Sequence, residues 1–238
     1  MMRMSSIQLE WIYLIYFVGS MVLVFLFHRF LTSVRNRTLQ QLNEFLLKDN
    51  NFVLYQALLD NKRLRVAFSK SQIDILKLKG YMLEGNDEAV VSIIQKCDQR
   101  KLRGYVKLDY LLKRFTYFVE VLNQEESKRS LELLENLLAN AKPNKDIVDL
   151  VEEARFTYQI YIEKNVSLIP NIKKMIAEKT NPQVVGVLYF RLAKLYYFNH
   201  QLGDVNKALK QAEKRLMGTY YMDIIQIAKK DPSILERK

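Results

Sequence analysis

Hydrophobic positions along this chain follow two regimes. From Trp11 to Phe27 the run WIYLIYFVGSMVLVFLF carries no charge. At roughly 1.5 Å of rise per residue, a helix of these residues is about 26 Å long. Phe30 and Leu31 lie just past Arg29. An arginine near a helix end lifts its charge into the headgroup layer, so the apolar length reaches about 30 Å, the thickness of a bilayer core. Trp11, Tyr13 and Tyr16 crowd one end, and amphipathic rings favour the membrane–water interface. The expectation is a transmembrane helix with these three aromatics and Arg29 at its interfaces. The alternative is a buried core helix, but the mostly polar-faced residues that follow do not look built to wrap one.

Beyond the run the pattern becomes amphipathic. Neither glycine nor proline occurs between Gly19 and Gly80, so the first helix is free to continue past Arg37, with Leu39, Leu42 and Leu46 on one stripe. Residues 38–68 read as a helical connector. From Ser69 onward the chain reads as helix pairs. Ser69 and Gln72 form a capping box, and Gly85-Asn86-Asp87 ends that helix and caps the next. Further helices are expected over about 104–122, 125–141, 146–163, 167–178, 182–199, 205–217 and 219–230. Asn181-Pro182 and Gly203-Asp204 mark two of the starts, and Pro232 marks the end.

First helices of the pairs start near residues 69, 104, 144, 181 and 219, a period of about 37 residues. Units that each bury one face must stack. The expected architecture is all-α: an N-terminal transmembrane helix with its flanks (1–37), the connector (38–68), and an α-solenoid of helix pairs with a curved groove (69–238).

Charge adds an orientation. The formal net charge is +11, and all of it lies after the span, because Arg3 and Glu10 cancel. Arg29, Arg35 and Arg37 outweigh the charge before the run. The positive-inside rule then places the amino end outside and the long carboxyl part in the cytoplasm, as a single-pass protein of the cell membrane. Glu10 interrupts the start of the run and no small-x-small site follows it, which points to an uncleaved anchor. A basic domain tied to a bilayer sits beside anionic lipid, so the lipid bilayer is one expected partner. Binding to an anionic membrane surface or to nucleic acid through charge alone is the alternative function. Nucleic acid is the less expected of the two, for want of a compact Lys/Arg block or aromatic–basic signature. The single cysteine, Cys97, allows no internal disulfide and reads as a core filler.

The stretch Leu192 to Leu209, LAKLYYFNHQLGDVNKAL, resembles a degenerate tetratricopeptide repeat. Leu192-Ala193 match its large-then-small pair, Tyr196 its first-helix aromatic, Gly203-Asp204 its inter-helix turn and Ala208 its second-helix small residue. Gly80 to Val90 repeats the idea with Tyr81, Gly85 and Ala89. Both depart from the consensus in turn length, and the middle pairs have no glycine at the turn. The whole arrangement is similar to small single-pass membrane proteins of low-GC Gram-positive bacteria that carry tetratricopeptide-like repeats. That resemblance implies a scaffold or adaptor whose groove holds other proteins or peptides. It also implies that Lys79, Lys113 and Lys194, each two residues before an aromatic, face the groove. With Arg191 they form the candidate partner-binding set, against the plainer reading of solvated helix faces. The asparagines of a carboxylate clamp are not at the matching positions.

Catalysis is not expected, and neither is a cofactor or a metal. His28 and His200 have no zinc-like spacing, and the seven glycines form no phosphate loop. Adjacent carboxylates such as Glu125-Glu126 diverge by about 100° on a helix, poor geometry for shared acid–base work.

Overall fold

A computed structural model describes residues 6–47, 49–140, 144–219 and 221–236; within α1 the side chains of residues 6–16, Gly19 and Leu47 lie outside the description. Among the described residues every regular element is helical. The chain divides into two compact units, Met1–Val106 and Lys107–Lys238.

The first unit begins with α1 (Ser6–Leu47), 42 residues long and therefore about 63 Å from end to end. It runs past Arg37, as the absence of helix breakers predicts. Asn50 then adopts a left-handed conformation (φ 47°), a geometry that asparagine tolerates better than most side chains. Asn51 caps α2 (Phe52–Asp60) by accepting a hydrogen bond from Leu54 N–H at 3.0 Å. A 3-10 segment follows over Lys62–Val66, then α3 (Lys70–Glu84) and α4 (Asp87–Asp98). Both halves of the Ser69/Gln72 capping box are formed. Leu42 and Leu46 of α1 join Tyr55, Leu59, Leu64, Phe68 and Ile73 in one buried cluster. The Tyr55 hydroxyl donates to the Leu76 carbonyl at 2.7 Å, and its ring lies so close to Gly80 that an added Cβ would sit 2.5 Å from it. Gly80 is therefore a packing glycine. Cys97 is buried, and burial, followed by the nearby Asp74 carboxylate, pushes its thiol up to about 11.

The second unit holds α5 (Gly104–Glu120), α6 (Gln124–Ala139), α7 (Lys145–Tyr161), α8 (Ile169–Glu178), α9 (Pro182–Phe198), α10 (Leu202–Arg215) and α11 (Tyr221–Lys230), with 3-10 segments over Val166–Leu168 and Pro232–Glu236. Residue 141, the expected end of the 125–141 helix, lies outside the described residues. A buried core surrounds α9, whose Leu188, Phe190, Leu192, Ala193 and Leu195 join Ile160 of α7, Ile172 of α8, Val205, Leu209 and Ala212 of α10, and Ile225 of α11. Asn181 starts α9 by accepting from the backbone of Gln183 and Val184.

One expectation about the turns changes. Gly203 does not make the α9–α10 turn; it lies inside the first turn of α10 with open space around its Cα. His200 takes the left-handed conformation instead (φ 57°), returning Gln201 N–H to the Tyr196 carbonyl at 2.9 Å. Gly85 (φ 77°) and Leu122 (φ 54°) do the same, with Asn86 N–H on Tyr81 and Asn123 N–H on Phe118. This is the Schellman ending, which satisfies carbonyls that a helix terminus leaves open. Lys164 (φ 50°) is the left-handed residue after α7. Left-handed residues thus follow the first helix of four pairs, at 85, 122, 164 and 200, spacings of 37, 42 and 36. The period is built into the backbone even where glycine is missing.

Candidate functional site

Two places in the chain hold unusual chemistry: the exposed part of α1 and the cations of the second unit. Along α1, Phe17, Val18, Met21, Val22, Leu23, Val24, Phe25, Leu26, Phe27 and Phe30 are all 50–69 % exposed. Residues 21–27 are consecutive, so the apolar surface wraps the whole circumference of the helix. Among the described residues of α1 the first buried one is Thr38. Past the apolar stretch an open groove on α1 is lined by Phe25, His28, Arg29, Thr32, Ser33, Asn36, Arg37 and Gln40. Arg29 is exposed there. The side chains of Trp11, Tyr13 and Tyr16 lie outside the description. Among the described residues no helix is long and apolar enough to cross a membrane. Within the uncharged run 11–27 the side chains of residues 11–16 and Gly19 lie outside the description.

The four candidate partner-binding cations occupy four different settings. Lys79 of α3 is half-buried and donates to Asn43 Oδ1 of α1 at 3.1 Å. Lys113 pairs with Asp109 one turn earlier on α5. It also shifts register. Counted back from the left-handed residue that ends each helix, Lys79 and Lys194 are six positions before Gly85 and His200, whereas the matching residue of α5 is the exposed Thr116. Without a glycine to mark the end of α5, Lys113-x-Phe115 looked equivalent when it lies a turn too early.

Arg191 pairs with Glu153 of α7, donates to Thr157 Oγ1 at 3.3 Å and lies over the Phe156 ring at 5.5 Å. Lys194 is 1 % exposed. Its ammonium sits 4.3 Å from the centre of the Tyr161 ring and 5.9 Å from that of Phe198. An ammonium over an aromatic face is attracted by the ring quadrupole, but burial still disfavours the charge. Desolvation, then the neighbouring Lys164, lowers the lysine to about 7. The Tyr161 hydroxyl is pushed up to about 12, again chiefly by burial. Lys194 therefore belongs to the interior of the unit and does not line an open groove; Arg191, largely covered, is committed to α7. On α9 these two cations lie three residues apart, Arg191 over the Phe156 ring and Lys194 over those of Tyr161 and Phe198.

Sequence reading missed a third interior cation. Arg114, next to Lys113, is 1 % exposed, donates to Ser130 Oγ and Glu126 of α6, and lies 5.0 Å from the centre of the Phe118 ring. The signal was present: Arg114 precedes Phe115 in the middle of an apolar face, and Glu126 and Ser130 lie one turn apart on the next helix.

The chain matches no family model, no curated protein and no solved structure.

Proposed function

We propose that this chain is a single-pass, membrane-anchored scaffold. Residues 11–27 cross the bilayer with the amino end outside, and the helical units on the cytoplasmic side recruit other proteins or peptides. The observation that carries the reading is the ring of exposed apolar side chains from Phe17 to Phe30. A helix apolar on every face needs either protein or lipid around it, and among the described residues of α1 the first buried one is Thr38. The tetratricopeptide-like resemblance supports the scaffold half, as do the four helix pairs with their recurring left-handed closures. Val184 and Met217 add exposed apolar surface at one end of the α9–α10 hairpin, where Gly186 packs on Leu216.

Deleting residues 1–37 tests the anchor. The cut removes the bare part of α1 and keeps the packed part. The full chain stays in the membrane fraction at high salt and alkaline pH, while the shortened chain is released and remains helical. Full membrane retention of the shortened chain rejects the single anchor. Protease added outside intact cells leaves residues 38–238 whole if the orientation is correct, and crosslinking in cells then identifies the recruited proteins.

A further inference from the structure

We propose that the 3-10 segment Lys62–Val66 docks on anionic phospholipid headgroups beside the point where α1 leaves the bilayer. The proposal rests on the membrane-spanning reading of residues 11–27 and adds a second, electrostatic contact from the first compact unit.

The geometry comes from the way the chain doubles back. After the reversal at Asn50, α2 returns along α1, and Tyr55, Leu59 and Leu64 share a core with Leu42 and Leu46. The returning chain ends level with residue 35, where the Arg35 guanidinium lies 5.6 Å from the centre of the Phe68 ring. Along a helix, residue 35 is about 6 Å beyond Leu31, the last residue of the apolar stretch. That is the depth of a headgroup layer, roughly 5–7 Å on each side of the hydrocarbon core. α3 then leads away from this level, because Lys79 near its far end reaches Asn43.

The segment's side chains suit that position. Asn61 fixes its start by accepting from Arg63 N–H at 3.0 Å, and Leu64 is buried and pins it to the core. With about three residues per turn, an inward Leu64 turns its neighbours outward. Lys62, Arg63 and Arg65 are exposed, and Val66 stands 66 % exposed among them. The nearest carboxylate in sequence, Asp60, is engaged by Lys77. Cations around an exposed apolar side chain form the pattern that binds an anionic lipid surface by charge and shallow insertion together.

The test uses the full chain in phospholipid vesicles with an environment-sensitive fluorophore on Val66→Cys. Native Cys97 is 1 % exposed with a raised thiol pKa, which disfavours labelling. Leu23→Cys in the apolar run reports on the anchor, and Leu83→Cys at the far end of α3 is the control held away from the surface. The expected result is quenching of the label at 66 by spin-labelled lipid when phosphatidylglycerol is present, and none in phosphatidylcholine alone or at 83. Adding the triple change K62Q/R63Q/R65Q should lower the docking equilibrium constant roughly a hundredfold, at about fivefold per cation, with quenching at 23 and helical content unchanged. A label at 66 that stays in water while that at 23 is quenched overturns the docking and leaves the anchor standing. Equal quenching in neutral lipid overturns the charge selection. Shielding of 66 by added RNA in neutral vesicles reassigns the cations to nucleic acid. A label at 23 that remains in water removes the spanning reading itself, and the docking with it.

Discussion

Along α1 the side chains from Phe17 to Phe30 are open on every side, whereas along α9 those from Val185 to Tyr196 are almost all closed off, with Ala193 and Leu195 at 0 % exposed. Both helices carry a charge-free apolar stretch that wraps the circumference, 184–190 on α9 and 21–27 within the longer uncharged run of α1. Apolarity therefore does not separate them. Small residues do. Gly186 lets Leu216 come within van der Waals reach of the α9 backbone, and Ala193, Ala208 and Ala212 are all buried in the core that α9 and α10 share. Ends separate them too. Asn181 and His200 stop α9 within its unit, while α1 runs on for 42 residues. Charges complete the contrast: Arg191 and Lys194 sit within α9 because α7 supplies Glu153, Phe156 and Tyr161. A sequence that is apolar all round asks for an apolar surrounding, and its neighbours decide whether protein provides it.

The largest expected effect is the direct swap between the two helices. Leu195→Ala, at a fully buried site, should cost about 2–5 kcal/mol through lost transfer energy and a residual cavity. Leu23→Ala, at 69 % exposed, should stay within about 0.5 kcal/mol. Urea unfolding of the detergent-solubilised chain reads both. Equal losses would mean that α1 is packed against protein after all, and the contrast would fail.

The next effect separates two glycines of one hairpin. A Cβ on Gly186 would lie 2.7 Å from Leu216 Cγ and 3.0 Å from Arg215 Cβ, so Gly186→Ala should destabilise by about 1–3 kcal/mol. Gly203 has no atom within 4 Å of its would-be Cβ and lies inside a helix. Gly203→Ala should therefore stabilise, by up to about 1 kcal/mol. Melting of the two variants checks the opposed signs. A loss at Gly203 would restore it as the turn glycine that a tetratricopeptide-like reading assigns.

The same hairpin shows what was legible in sequence. Helix starts were, because Asn86, Asn144, Asn181 and the Ser69/Gln72 pair carry their chemistry in their own side chains and each makes the expected cap. Helix ends were legible to within about two residues, but the left-handed residue that closes a helix was legible only where it is a glycine, at Gly85. Leu122, Lys164 and His200 adopt left-handed backbones that their side chains do not advertise. The surrounding core holds them there, at roughly 1–2 kcal/mol each. That hidden register displaced Lys113 from its supposed equivalents. Lys194 was misread for a related reason. A lysine two residues before an aromatic looks surface-facing if the helix has one wet side, and α9 is covered over most of its length.

The effect most specific to α9 is a pH slope from Lys194. In the folded protein its ammonium loses its proton near 7, against the usual 10.5 in an unfolded chain. Between those values the unfolded state binds the extra proton, so stability rises with pH, by up to about 1.4 kcal/mol per unit. Below 7 both states are charged and above 10.5 both are neutral, so the slope vanishes outside the window. Tyr161 acts in the opposite sense, but only above its ordinary value of 10.0, and Cys97 only above 9.0. The interval from pH 7 to 9 therefore isolates the lysine. Stability of the second unit, followed by denaturant titration, should climb across it. Lys194→Met, which keeps most of the volume and removes the charge, should start higher at pH 7 and flatten the climb. A native protein with no slope would mean that Lys194 keeps its proton in the fold. The two aromatic faces at 4.3 and 5.9 Å would then compensate burial far better than burial disfavours the charge. Leu23→Lys on α1 is the counterpart: in water its exposed site should add no slope, because an exposed lysine has the same proton affinity folded and unfolded.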